Sequence, residues 1–258
     1  MRILAAAALL AAASAALAQS GSARLSTRPG LEIGGQIASY DYKEPGLAEL
    51  KGNRLGFVGA WTSRIGAGVF ARIDARASYG SLDYRGSGSM SGVPDLILET
   101  RAVAGFDWDL GGATLSPYAG LGYRYLYDDL NGYSSTGAAG YRRYSNYLYA
   151  PIGLTLRFAL SADWVLAPTA ELDVFLRGKQ KSMLSDANSA FSNVTNTQDH
   201  GTGYRLYLMF ERDRLAVGPY LHYWHIQDSD VQPIGGGQLG LEPENFTREY
   251  GLELRYRF

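Results

Sequence analysis

The chain has 258 residues, with 24 Lys and Arg against 25 Asp and Glu and no cysteine. A formal net charge of −1 and a pI near 6.3 leave no electrostatic footprint for nucleic acid, and zero cysteines exclude a disulfide framework. The 19 Tyr and 32 Gly favour strands, interfaces and tight turns over long helices, which points to an all-β chain.

Met1-Arg2 opens the chain, followed by an apolar stretch from Ile3 to about Leu17 and the small-residue triplet Ala16-Leu17-Ala18. A charged start, an apolar centre and an A-x-A-like end predict a cleaved signal peptide over residues 1–18. The alternative, an uncleaved anchor helix, is disfavoured by the short span and by alanine's weak apolarity. No later window reads as a membrane helix, because Arg, Asp, Glu or Gly interrupts every apolar cluster.

Period-two alternation then dominates, placing successive side chains on opposite faces of strands. Residues 31–42 begin with Leu31, Ile33 and Ile37 against Glu32, Gly34 and Gln36, and the frame blurs near Asp41. Residues 54–62 set Leu55, Phe57 and Trp61 against Arg54, Gly56 and Ala60. Residues 69–79 set Ile73, Ala75, Ala77 and Tyr79 against Arg72, Asp74 and Arg76. Residues 96–109 set Leu96, Leu98, Ala102, Ala104, Phe106 and Trp108 against Glu99, Arg101, Gly105, Asp107 and Asp109. Residues 115–127 set Leu115, Leu121, Tyr123, Tyr125 and Tyr127 against Tyr118, Gly120, Gly122 and Arg124. Residues 148–158 carry Tyr149, Gly153, Thr155 and Arg157 on the polar face. Residues 164–177 carry Thr169, Glu171, Asp173 and Arg177 there. Residues 204–211 set Tyr204, Leu206, Leu208 and Phe210 against Arg205, Tyr207, Met209 and Glu211, and 215–226 form a ninth, less regular run. The last run sets Tyr250, Leu252, Leu254, Tyr256 and Phe258 against Glu249, Gly251, Glu253, Arg255 and Arg257.

About ten strands result, joined by alternately short and long polar links, as in an up-and-down barrel whose two ends face different compartments. The short links sit at 63–68, 111–112, 161–163 and 212–214. The long ones sit at 43–51, 85–94, 129–142, 180–200 and 229–244.

Alternation alone does not say which face is inside. Large Leu, Phe, Tyr and Trp side chains from every strand would overfill a lumen of this circumference, and so many ionisable residues do not line the interior of a soluble barrel. Placing the apolar face in lipid resolves both problems. The inward face then holds a near-balanced network of Arg72, Asp74, Arg76, Glu99, Arg101, Arg124, Arg157, Glu171, Asp173, Arg177, Arg205, Glu249, Glu253 and Arg255. Glu32, Asp107, Asp109, Glu211 and Arg257 join it. Its cations are arginines, suited to planar bidentate pairing in a confined space. Aromatics fall where two water interfaces belong: Trp108, Phe158, Trp164, Phe210, Tyr256 and Phe258 near the short turns, and Tyr79, Tyr125, Tyr127 and Tyr144 near the long links.

The closing segment from Tyr250 to Phe258 resembles the terminal strand of bacterial outer-membrane β-barrel proteins. The resemblance implies that Tyr250, Leu252, Leu254, Tyr256 and Phe258 form the signal read by the barrel assembly machinery. The expected organisation is a signal peptide at 1–18, a periplasmic N-terminal segment at 19–30, and an all-β transmembrane antiparallel barrel at 31–258. Outer-membrane lipid and the assembly machinery are the expected partners, with an extracellular ligand reachable by the long loops.

No enzymatic constellation emerges. About ten strands are also found in omptin surface proteases, a likeness that implies acidic pairs and a His-Asp pair at the extracellular lip. Here His225 precedes Asp228 without a D-x-H arrangement, His200 closes a loop, and Asp107-Trp108-Asp109 falls at the short-turn end. A lipid-modifying enzyme would need a nucleophile beside His225, where Gln227 stands. His222 and His225 point to opposite strand faces and make no metal pair. Asp95, Asp128 and Asp129 could meet a divalent cation at the rim but read more simply as solvated acids. No cofactor, metal or catalytic residue is assigned. The expected function is a plugged surface, structural or adhesion-type barrel, with a small porin-like channel as the alternative.

Overall fold

Runs of alternating character become one closed antiparallel wall. The computed structural model describes residues 24–258, and the signal peptide expected at 1–18 lies outside them. The strands are β1 (Gly30–Glu44), β2 (Ala48–Arg64), β3 (Val69–Gly86), β4 (Gly88–Phe106), β5 (Trp108–Asp109), β6 (Ala113–Tyr133), β7 (Ala139–Ala159), β8 (Val165–Ser182), β9 (Val194–Gln198), β10 (Gly201–Arg212), β11 (Leu215–Ile226), β12 (Gln232–Gly235), β13 (Gln238–Gly240) and β14 (Asn245–Arg257). β14 returns to pair with β1, from Glu32↔Arg257 to Lys43↔Phe246, and closes the sheet.

Two strands of the wall are interrupted. β4 and β5 are one stave broken at Asp107, and both pair with β6. β9 and β10 are one stave broken at 199–200, and both pair with β8. Ten staves remain, in the up-and-down order expected.

At one end the links are short, and Asp213 takes a positive φ of 49° in the tight β10–β11 turn, a conformation aspartate tolerates. At the other end the strands run on into segments expected as links. Ser87 alone joins β3 to β4, and residues 45–47 join β1 to β2. Ladder hydrogen bonds satisfy backbone that loops would leave to water. Only 183–193 and 227–244 remain long at that end, the latter carrying the β12–β13 hairpin.

The two faces are inverted relative to a water-soluble protein. Phe57, Leu55, Leu121, Leu252 and their row neighbours are exposed outward, while Glu99, Asp173, Arg205 and Glu249 are buried inside. Only an apolar solvent makes that arrangement stable, and a closed wall leaves no unpaired strand edge in it. Within the segment expected at 19–30, residues 24–29 are tied to the wall. Thr27 donates to Asp107 through its backbone N–H at 2.8 Å and its hydroxyl at 2.7 Å, and Arg28 reaches Glu211 at 2.6 Å. This segment folds across the short-turn mouth.

Candidate functional site: the lumen

Inward positions of the ten staves converge, and their side chains sort into two layers. The layer nearer the short-turn mouth is ionic. Arg72 on β3 bridges Glu32 on β1 and Asp74 on its own strand, each at 2.8 Å. Arg101 joins Asp74 at 3.2 Å and Glu171, and Arg76 joins Glu99 at 3.2 Å and Glu249. Arg255 contacts Glu253 and, at 3.6 Å, Glu32, while Arg257 also reaches Glu32. Arg157 approaches Glu211 at 3.6 Å.

Arg205 is the node of the layer. From β10 its guanidinium crosses the lumen to Glu99 on β4, at 3.0 and 2.6 Å, and turns its Nε to Asp173 on β8 at 2.7 Å. It also donates to the Tyr149 hydroxyl at 2.9 Å. The planar fork suits this bidentate use.

Arg177 does not belong to this layer. A β-bulge at Leu176 lets Arg177 pair with Leu148 while Phe175 pairs with the adjacent Tyr149, adding one residue to β8. Beyond it the phase inverts. Gly178, Gln180 and Ser182 face inward, and Arg177, Lys179 and Lys181 stand exposed outside. Asp109 is likewise exposed, accepting from the Gly111 N–H at 2.8 Å. Arg124 does lie in the lumen, where its guanidinium sits 5.4 Å from the Trp224 ring centre.

The layer towards the long links is apolar. Tyr40, Tyr42, Leu50, Leu82, Val93, Ile97, Leu126, Leu130, Tyr147, Tyr149, Phe175, Trp224 and Ile226 pack into one buried cluster. Trp224 meets Tyr149 edge-on at 5.1 Å between ring centres. Small residues make room: a Cβ on Gly203 would stand 2.8 Å from the Trp224 ring, and one on Gly178 2.8 Å from the Phe175 ring. Sequence reading missed this layer. Its signal was the blurred frame near Asp41, where Tyr40 and Tyr42 make the inward face apolar while Ser39, Asp41 and Lys43 make the outward face polar.

Within and above this cluster lie ion pairs that sequence reading also missed. Arg54 is fully buried against Asp95 and stacks on Tyr40, 3.9 Å from the ring centre. Asp95, expected at the rim, is therefore an interior group, with Asp128 as its cross-strand neighbour. Asp129 instead accepts from the Tyr127 hydroxyl at 2.8 Å. Arg143 holds both Glu44, at 2.7 Å, and Glu242 of the 227–244 loop, which docks that loop on the mouth. One cation thus serves two carboxylates. Burial pushes the Glu242 carboxyl up to about 7; Arg143 opposes the rise, and Glu44 and Asp128 add to it.

The two strand histidines go to different environments. His222 lies in the lumen, 2.6 Å from the Tyr207 hydroxyl, and His225 lies on the outer wall, 2.5 Å from Glu244 and stacked on Phe246. Tyr250, Leu252, Leu254, Tyr256 and Phe258 all face outward into the apolar belt.

Closure, an exposed apolar wall and an ion-paired interior define a transmembrane β-barrel of the bacterial outer-membrane kind. No protein-family model and no curated protein matches the chain. Among solved structures, the outer membrane protease OmpT from Escherichia coli is similar with a TM-score of 0.63 and 11% identity, over 89% of this chain and 97% of that one. The beta domain of the Bordetella autotransporter BrkA is similar with a TM-score of 0.42 and 18% identity, over 90% of this chain and all of that one (100%). At such identities the OmpT likeness concerns the fold alone.

Proposed function

We propose that this barrel is plugged and non-enzymatic, and that it works through its outer end as a surface, structural or adhesion-type protein. The observation that carries the reading is the buried cluster around Trp224 and Tyr149, which fills the outer half of the lumen. A barrel near eight strands is filled by its own side chains, whereas wide aqueous pores need about sixteen. The inner half holds a cavity of about 120 Å³, lined by Arg28, Arg72, Arg157 and Glu211 among others. Large apolar side chains at the outer tips, Leu47, Tyr133 and Leu239, supply contact surface for an extracellular partner. His222 bonds the Tyr207 hydroxyl in the lumen, and His225 pairs with Glu244 and stacks on Phe246 on the outer wall, which fits packing roles for both.

Purified protein in planar bilayers tests the plug. The expected record is silent at moderate voltage. Discrete, reproducible openings would establish the porin-like alternative and remove the plugged reading.

A further inference from the structure

The bulge that expels Arg177 from the lumen has a second effect. It lines up Arg177, Lys179 and Lys181 on the outer wall of β8, immediately above Leu172, Val174 and Leu176 of the apolar belt. Alternate residues on a strand stand about 6.8 Å apart, so the three cations form a short vertical strip. Among the described residues none of the three side chains has an ion-pair or hydrogen-bond partner.

Each cation continues a lateral row that starts at a tyrosine. Tyr123, Leu148 and Arg177 are successive cross-strand partners. So are Tyr125, Asn146, Lys179 and Thr197, and so are Tyr127, Tyr144, Lys181 and Thr195. The tyrosines touch one another through Tyr144, at 6.5 and 5.1 Å between ring centres, and Tyr123 donates to Asn146 at 2.5 Å. Tyrosines at the end of an apolar belt mark headgroup depth. The groups beside the strip are therefore hydroxyls and amides at that depth. The nearby acids are Asp129, which accepts from the Tyr127 hydroxyl at 2.8 Å, Asp186, clamped by Arg142 at 2.7 and 2.8 Å, and the exposed Asp199 at the stave break.

The opposite wall differs. There Lys51 lies 3.7 Å from Asp41 and also contacts Glu49, and it stands opposite Asp83. Its charges are mixed and partly neutralised.

We propose that the Arg177–Lys179–Lys181 strip binds the phosphorylated headgroup of an outer-leaflet glycolipid, with the tyrosine rows packing its sugar and upper acyl chains. Unpaired cations at headgroup depth attract anionic lipid phosphates, and the apolar belt directly beneath takes the chains. This reading does not depend on whether the lumen conducts.

The test uses the whole purified barrel in dodecyl maltoside, with fluorescent diphosphoryl lipid A as the probe and phosphatidylethanolamine as the control lipid. The triple variant Arg177→Gln, Lys179→Gln, Lys181→Gln is expected to weaken diphosphoryl lipid A binding at least tenfold. The opposite-wall triple variant Lys43→Gln, Lys51→Gln, Arg248→Gln is expected to bind as wild type does. Heat-modifiable gel migration shows that each variant is folded; should the first triple fail to fold, Lys179→Gln and Lys181→Gln singly are each expected to weaken binding two- to threefold. Equal affinity of wild type and the strip variants overturns the proposal, as does equal loss in the opposite-wall variant. Full competition by millimolar inorganic phosphate would also overturn it, by reassigning the strip to free phosphate.

Discussion

Arg205 shows how much can depend on one side chain. It faces Glu99, Asp173 and Glu171 inside a lumen nearly sealed from water. Removing one partner of a buried ion pair leaves the other charge uncompensated, at a cost of about 3–5 kcal/mol. Arg205→Leu is therefore expected to lower the urea midpoint of the micelle-folded barrel, with Arg205→Lys recovering part of the loss; an unchanged midpoint in Arg205→Leu would refute this role. Glu242 makes the opposite kind of prediction. Its carboxyl is held at about 7 in the docked loop, against an ordinary 4.5, so the docked state binds the proton more tightly. Docking is then strongest below about 4.5 and weakens as pH rises towards 7. Glu242→Gln, which mimics the protonated acid, is expected to protect the 227–244 loop from proteinase K relative to wild type at pH 8 but not at pH 5. Equal protection at both values would remove the linkage.

At the scale of the strand, alternation made most of the wall legible, because the two faces meet different solvents. It failed where a face changes neighbours or the chain changes phase. Along β1 the inward residues pass from Glu32 and Gln36 to Tyr40 and Tyr42 without any shift in register. The apparent blur was a change in what fills the lumen. Along β8 one extra residue inverts the phase, and nothing in the residue types around Leu176 announces it. Arg54–Asp95 was hidden for a related reason, since a charge inside an apolar layer reads from sequence as a rim residue. The long links looked longer than they are because polar outer hairpins keep the ladder but lose the apolar belt. The closing strand was the clearest element. Phe258 donates its N–H to the Leu31 carbonyl at 2.9 Å, and its ring packs edge-on against Tyr256 at 5.0 Å. If this strand is the signal for assembly, deleting Phe258 is expected to cut the folded, heat-modifiable fraction in the outer membrane several-fold, read on unboiled gels. Unchanged levels would leave Phe258 a lipid-facing residue only.

The whole molecule combines three devices: a closed ladder, a mouth crossed by residues 24–29, and an interior whose inner layer is ionic and outer layer apolar. The ladder and the inverted faces could be read from sequence. The apolar layer and the crossing segment could not, because both depend on which side chains meet across a lumen rather than along a strand. Together they underlie the expectation of electrical silence. The ionic layer also has a mechanical consequence. Arg205 ties β10 to β4, Arg76 ties β3 to β14, and Arg101 ties β4 to β8. These ties run like spokes between distant parts of the rim, while Glu32 clasps both Arg72 and Arg257 beside the β1–β14 seam. A hollow tube flattens into an ellipse when the bilayer squeezes it unevenly. A spoked one carries the load through its hub, so this wall keeps a round section and a shut seam under lateral pressure.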